Sequence, residues 1–281
     1  MKTILITGTS SGIGRASALR FAEHGYQVFA GVRRIGDAPV HANIRPVQLD
    51  VTSPESIDEA HAFISARTNG SLHALVNNAG TNLNGAFEYT PVEEARALLD
   101  LNLWGPIQMM VKFLPMIRRA SDDRWRGKIV TVGSIGSVAA VPWMAHYHGS
   151  KFGILGTMEA LRHELHAVGV RVSVVCPGGV RTEFQRRTAE SLERARSNMP
   201  NDAPATYRSS FERFAGIIAA SEKQGVPPES VARALLRTVE SRNPRFKVVV
   251  GPDARLIHCL KRCLPEPAFH AIYRRLFTSP H

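Results

Sequence analysis

Seven short apolar runs recur along this chain of 281 residues, each separated from the next by a stretch with helical spacing. Thr3 to Thr7, Val28 to Val32, Arg45 to Leu49, Ala74 to Val76, Lys128 to Val132, Val170 to Val175 and Phe246 to Val250 are the predicted strands. They are largely apolar throughout instead of alternating, so each must be covered on both faces. Strands that alternate with helices then form a parallel sheet linked by right-handed crossovers, which predicts a doubly wound, three-layer α/β/α domain. Helices are expected from Arg15 to His24, where Gly25 stops the helix, and from about Thr52, with Pro54 in the first turn. Others are expected after Pro91, from Lys151 to Ala167, and after Pro227-Pro228-Glu229. The long strandless interval at about 181–225 is polar and Arg-rich, and its length marks it as a lid. The expected organisation is one α/β domain over 1–252 and a basic amphipathic extension over 253–281.

The connection between the first strand and first helix reads Thr7-Gly8-Thr9-Ser10-Ser11-Gly12-Ile13-Gly14. Gly8 suits a tight turn, Gly12 leaves room for a pyrophosphate, and Gly14 lets helix and strand pack closely. Unpaired amides at the helix start then face the phosphates. A glycine triplet alone equally describes a structural turn, but its place in the first βα connection points to a dinucleotide.

The Gly-x3-Gly-x-Gly spacing after a Thr resembles the short-chain dehydrogenase/reductase family, and further motifs follow in that family's order. Asn77-Asn78-Ala79-Gly80 follows the fourth strand, Asp50-Val51 ends the third, and Pro177-Gly178 precedes Thr182 as in the family's Pro-Gly-x3-Thr element. The resemblance runs from about residue 2 to 182, with weaker support to about 250, and implies a Rossmann fold. It also implies that Gly8, Ser10, Ser11, Gly12, Ile13, Gly14, Asp50, Val51, Asn78, Ala79, Gly80, Pro177, Gly178, Val180 and Thr182 bind a nicotinamide dinucleotide. At the end of the second strand, a carboxylate would select NAD(H), whereas an Arg pairs with the 2′-phosphate of NADP(H). This chain reads Gly31-Val32-Arg33-Arg34 there, so NADP(H) is favoured over NAD(H), with Ser10 and Ser11 as added hydroxyl donors. The alternative for the two arginines is a solvated basic turn.

Tyr147 and Lys151 lie four apart, one helical turn, with Ser134 thirteen residues before the tyrosine and Asn102 further upstream. Together they match the family's catalytic tetrad. An ordinary tyrosine, with a pKa of about 10, is a poor base at neutral pH. Positive charge from Lys151 and the oxidised nicotinamide favours its phenolate. Tyr147 is therefore expected to exchange a proton with the substrate oxygen and Ser134 to hydrogen-bond that oxygen. The resemblance also implies that Lys151 holds the nicotinamide ribose and that Asn102 positions a relay water. His148, where the family usually has a small residue, could line the entrance or tune Tyr147; a polar helix residue near a subunit contact is the preferred reading. The alternative functions are a non-catalytic dinucleotide-sensing protein, which would ordinarily have lost the Tyr or Lys, and an epimerase or dehydratase using the same pair.

Phe184, Met199, Tyr207, Phe211 and Phe214 in the lid suggest an apolar pocket or ordinary packing of lid helices. The Asp50-Val51-Thr52 junction, the lid and the long tail together resemble the retinol/steroid dehydrogenase branch more than the sugar-alcohol branch and imply a bulky apolar carbonyl or alcohol of steroid, retinoid or fatty-acyl type, hence a place in lipid metabolism. The family also implies a homodimer or homotetramer. The formal charge is +11, and positions 242–281 carry eight Lys or Arg against two acids, with Leu256, Ile257, Leu260 and Leu264 forming an apolar stripe. Such a helix can lie on anionic membrane, but capping the pocket or packing on a subunit is preferred. No aromatic–basic motif points to nucleic acid. Three cysteines are too few for a disulfide scaffold or zinc site. His163 and His166 lack a third ligand, so no metal is expected. With no signal peptide read at Met1, a cytoplasmic protein is the expectation.

Overall fold

The computed structural model describes residues 1–122 and 125–277; residues 278–281 of the tail lie outside the described residues. The seven predicted strands form β1 (Thr3–Ile6), β2 (Gln27–Val32), β3 (Ile44–Gln48), β4 (Ala74–Asn77), β5 (Lys128–Val132), β6 (Arg171–Pro177) and β7 (Lys247–Val250). They make one sheet in the order β3-β2-β1-β4-β5-β6-β7, with every neighbouring pair parallel. Ile4 stands opposite Val28 on one side and Ala74 on the other. The helices are α1 (Gly12–Glu23), α2 (Pro54–Thr68), α3 (Val92–Leu99), α4 (Gly105–Arg119), α5 (Ala145–His166), α6 (Phe184–Asn198), α7 (Ala205–Lys223), α8 (Pro228–Glu240), α9 (Pro252–Cys263) and α10 (Glu266–Phe277). This is the Rossmann-type α/β/α sandwich that strands buried on both faces require.

Successive strand residues point to opposite faces, so Ile4 and Leu5 enter different cores and both are fully buried. Ile4, Ile6 and Val28 pack with Phe21 of α1 and with Val231 and Leu235 of α8. Leu5, Phe29 and Leu75 pack with Ile64 of α2, Phe113 of α4 and Ile154 and Met158 of α5. Chain order reverses between β1 and β4, and this switch opens a crevice outside the carboxyl ends of the strands.

Two helix starts differ from expectation. α1 begins at Gly12, three residues before Arg15, so the glycine loop runs straight into the helix. α5 begins at Ala145 instead of Lys151, because His146-Tyr147-His148-Gly149 forms a helical turn without apolar spacing. The lid interval is helical, as α6 and α7, and the tail is two helices instead of one. Among the described residues, no helix is long and apolar enough to cross a membrane.

Candidate active site

A cleft of about 1050 Å³ opens over the carboxyl ends of the strands and extends beneath α6, α7, α9 and α10. Every residue expected to bind the dinucleotide lines it except Arg34. Gly8 and Gly12 have φ of 68° and 53°, in the left-handed region that favours glycine. A Cβ on Gly14 would lie 2.1 Å from the Gly8 carbonyl oxygen, so only glycine lets the helix start approach the turn. No side chain caps the N-terminus of α1, so its first amides stay available to an anion. Thr182 closes over this turn: a Cβ on Gly12 would stand 3.2 Å from the Thr182 side chain.

Asn78 gives the Asn-Asn-Ala-Gly segment its place. Its Nδ2 donates to the Thr7 and Gly8 carbonyls, 2.9 Å each, while the Asn78 and Ala79 amides donate to Thr7 Oγ1 at 2.9 and 3.0 Å. The segment after β4 is thereby fixed to the glycine loop after β1. At the far edge, Thr52 donates to Asp50 Oδ1 through its amide (2.9 Å) and hydroxyl (2.7 Å). Burial raises the Asp50 pKa, but these bonds and the charge of Arg33 outweigh it and hold the carboxyl below its usual range.

Arg33 and Arg34 part company. Arg33 lines the cleft, whereas Arg34 is turned to solvent and donates from Nε to Asp37 Oδ2 at 2.9 Å. Asp37, three residues on, is close enough to capture one of the two guanidiniums.

Ser134, Tyr147 and Lys151 meet in the same cleft. Ser134 follows β5 and caps a short 3₁₀ turn, its Oγ accepting from the Gly136 amide at 2.9 Å, which leaves its own proton to donate. Tyr147 and Lys151 lie on adjacent turns of α5, with Lys151 Nζ 5.8 Å from the centre of the phenol ring. Burial pushes the Lys151 ammonium down to about 8, and the amine donates to the Val132 carbonyl at 3.4 Å. Asn102 does not line the cleft. It sits in a π-helical turn (Asp100–Trp104) between α3 and α4, a feature that often marks functional sites. Its side chain accepts from the Thr81 amide (2.9 Å) and donates to the Thr81 carbonyl (2.8 Å) and Ser150 Oγ (3.2 Å). Ser150 in turn donates to the Tyr147 carbonyl at 2.7 Å. Asn102 therefore fastens the segment after β4 to the helix that carries Tyr147. Burial pushes the Cys176 thiol up to about 11, which keeps it neutral beneath this group.

His148 lines the cleft, is 5% exposed and is folded into its own chain. Nδ1 bonds the Gly136 carbonyl at 2.9 Å and must donate, while Nε2 accepts from the Val141 amide at 3.0 Å. Only the neutral Nδ1–H ring satisfies both, and the pair clasps the loop that begins at Ser134. Burial holds its pKa below the ordinary 6.5, despite the opposing Gly136 bond. The unfolded chain therefore binds more protons just below pH 6.5, and stability rises with pH through that interval. His148→Ala is expected to cost about 1–3 kcal/mol by orphaning two buried backbone groups. Thermal melts of wild type and variant at descending pH should converge; parallel curves would refute this account of the clasp.

Of the five lid residues singled out above, only Phe184 lines the cleft. Met199, Phe211 and Phe214 are buried in the lid's own cluster, with Tyr207 packed against it. Ile217 and Ile218 of α7 and Leu256, Ile257, Leu260, Ile272, Tyr273, Leu276 and Phe277 of the tail add to the apolar lining. The lid is pinned to the core by Asn82 Nδ2 donating to Thr188 Oγ1 (2.8 Å) and the Asn84 amide donating to Ser191 Oγ (2.9 Å). The tail is pinned by Asp253, whose Oδ2 accepts from the Gly179 amide at 2.7 Å, just past Pro177-Gly178. Sequence reasoning passed over Asp253, and its signal was the Gly-Pro-Asp helix start. Among the described residues, no three His, Cys, Asp or Glu are placed to hold a metal ion.

The model of the short chain dehydrogenase family matches residues 2–193, and the chain belongs to that family. It is an oxidoreductase of the CH–OH/C=O class that uses a nicotinamide dinucleotide. It is 33% identical to 3-ketodihydrosphingosine reductase of Bacteroides thetaiotaomicron, over 94% of this chain and 93% of the relative. It is 36% identical to NADPH-dependent 1-acyldihydroxyacetone phosphate reductase of Schizosaccharomyces pombe, over 69% of this chain and 65% of the relative. A solved short chain dehydrogenase from Burkholderia cenocepacia, in complex with NADP, superposes with a TM-score of 0.73 at 26% identity, covering 99% of this chain and 100% of that one.

Proposed function

We propose that this protein is an NADP(H)-dependent reductase of a bulky apolar carbonyl, steroid, retinoid or fatty-acyl in type, running in reverse on the alcohol. The observation that carries the substrate reading is the continuity of one cleft from Tyr147 to the aliphatic side chains of α7, α9 and α10. The two relatives' names, as reductases of 3-ketodihydrosphingosine and of 1-acyldihydroxyacetone phosphate, point the same way.

The chain fits a dinucleotide on its own geometry: a glycine cradle that a Cβ would fill, an uncapped helix start, and a cationic edge at Arg33. The loop from Gly8 to Gly14 would hold the pyrophosphate, with Arg33, Ser10 and Ser11 at the 2′-phosphate, Asp50 and Val51 at the adenine, and Pro177 to Thr182 at the nicotinamide. When bound, the cofactor supplies or accepts the hydride. Tyr147 gives the substrate oxygen its proton in reduction and removes it in oxidation. Ser134, its Oγ already accepting from Gly136, donates to the same oxygen and steadies its growing charge. Lys151, charged at neutral pH, favours the phenolate and would hold the nicotinamide ribose. Asn102 keeps α5 in place beside Gly80, close to where a relay water would pass toward Lys151. Trp104 at the end of the π-helical turn, Val111 on α4 and Phe152 on α5 are exposed, which supports a homo-oligomer.

A panel of ketones of increasing apolar length, assayed with NADPH and NADH at the nicotinamide absorbance, tests this reading. kcat/KM is expected to rise with apolar length and to be higher with NADPH. A preference for short, polyhydroxylated carbonyls would overturn the substrate class.

A further inference from the structure

The eight basic residues near the C-terminus are more than the dinucleotide accounts for, and the fold places most of them on α9, α10 and the segment leading to them. Leu256, Ile272 and Leu276 line the cleft, yet are 61%, 46% and 45% exposed, so the substrate channel opens through an apolar rim. Arg255 and Arg262 on α9 and Arg275 on α10 are exposed and stand outside the cleft lining. Lys261 reaches across, its Nζ 4.7 Å from the centre of the Phe269 ring, and ties the two helices together. The two acids of this region offset little: Asp253 is turned inward onto the Gly179 amide, and Glu266 sits 3.4 Å from His270.

We propose that the α9–α10 face docks on an anionic lipid surface, with the apolar rim set among the acyl chains and the basic residues at the head groups. A channel lined by aliphatic side chains that ends in exposed leucine and isoleucine needs an apolar phase at its mouth, or it meets water there. Cations around an apolar rim complement an anionic interface. A second copy fits poorly, since two-fold pairing across this face would set Arg255, Arg262 and Arg275 near their own counterparts. Contact is peripheral, because no described helix is long and apolar enough to span. The inference rests on the apolar-substrate reading above, but vesicle binding is read without an apolar substrate.

The full chain with NADPH would be sedimented with vesicles of phosphatidylcholine alone and of phosphatidylcholine mixed with phosphatidylglycerol. Binding is expected only to the anionic vesicles, and it should be released by high salt. The triple charge reversal R255E/R262E/R275E should weaken it at least about tenfold. The same variant should reduce a small water-soluble ketone as wild type does, which shows that it folds. Absence of binding at low salt, equal binding to both vesicles, or unchanged binding of the triple variant would overturn the proposal. So would protection of this face by a second copy in concentration-dependent hydrogen exchange. Failure of wild type to reduce any carbonyl would sink the functional reading, and vesicle binding would still be read separately.

Discussion

Replacing Tyr147 with Phe is expected to lower kcat for carbonyl reduction by about 10²–10⁴-fold, the usual contribution of a positioned general acid. Dinucleotide affinity should stay near that of wild type. The substitution removes one oxygen and keeps the ring, which packs with Leu83, Ala95 and Leu98. The backbone of Tyr147 stays anchored, because Ser150 donates to its carbonyl and Asn102 donates to Ser150. Lys151 and Ser134 keep their own partners at Val132 and Gly136. A loss of turnover with intact NADPH binding, read by cofactor fluorescence and single-turnover kinetics, therefore isolates the phenol as the proton donor. Ser134→Ala should cost less, since it removes one hydrogen bond to the substrate oxygen and no proton transfer. A fully active Tyr147→Phe enzyme would refute the assignment.

The fold was legible because the five inner strands are buried on both faces and the crossovers carry their own punctuation. Pro54 and Gly25, for example, mark a helix start and a helix stop that the structure places within a residue or two. The glycine loop was legible for a steric reason: a side chain at Gly14 would strike the Gly8 carbonyl, so the chain has no other residue to use there. Side-chain pairing was harder to read. Arg33 and Arg34 are identical in composition and adjacent, and only Asp37 separates them, by drawing Arg34 into a surface ion pair. The clasp made by His148 is not legible in sequence, because a histidine on a helix simply looks polar. Its two partners, Gly136 and Val141, are backbone groups of the loop just before α5, and no side-chain pattern announces them. The lid misled for the opposite reason. Its large residues were visible, but Met199, Phe211 and Phe214 are drawn into the lid's own core, and the cleft takes its apolar lining from Phe184, Ile217 and Ile218 of the lid and from the tail. Asp253 shows the same limit, since it acts on a backbone amide seventy-four residues away.

Arg33→Asp is expected to invert the cofactor preference, with NADPH affinity falling by about 10- to 150-fold, the range for losing a charge-assisted hydrogen bond of about 1.5–3 kcal/mol. The new carboxylate would also repel the 2′-phosphate, whereas the NADH ribose offers hydroxyls that it can accept. Asp50 provides an internal check. Its carboxyl is held low partly by the charge of Arg33, so removing that cation should raise its pKa, although the two Thr52 bonds remain. Arg34→Ala is the matched control. That side chain stands outside the cleft and is neutralised by Asp37, so its loss should change the NADPH to NADH ratio little. The contrast separates a site-specific phosphate contact from a general effect of positive charge when Arg33→Ala is set beside Arg34→Ala, because both then remove one cation from the same turn. Equal losses in the two would mean that the turn attracts NADPH only through its field. A large loss for Arg33 alone would fix the 2′-phosphate at the end of β2, where sheet order and the absence of a carboxylate both direct it.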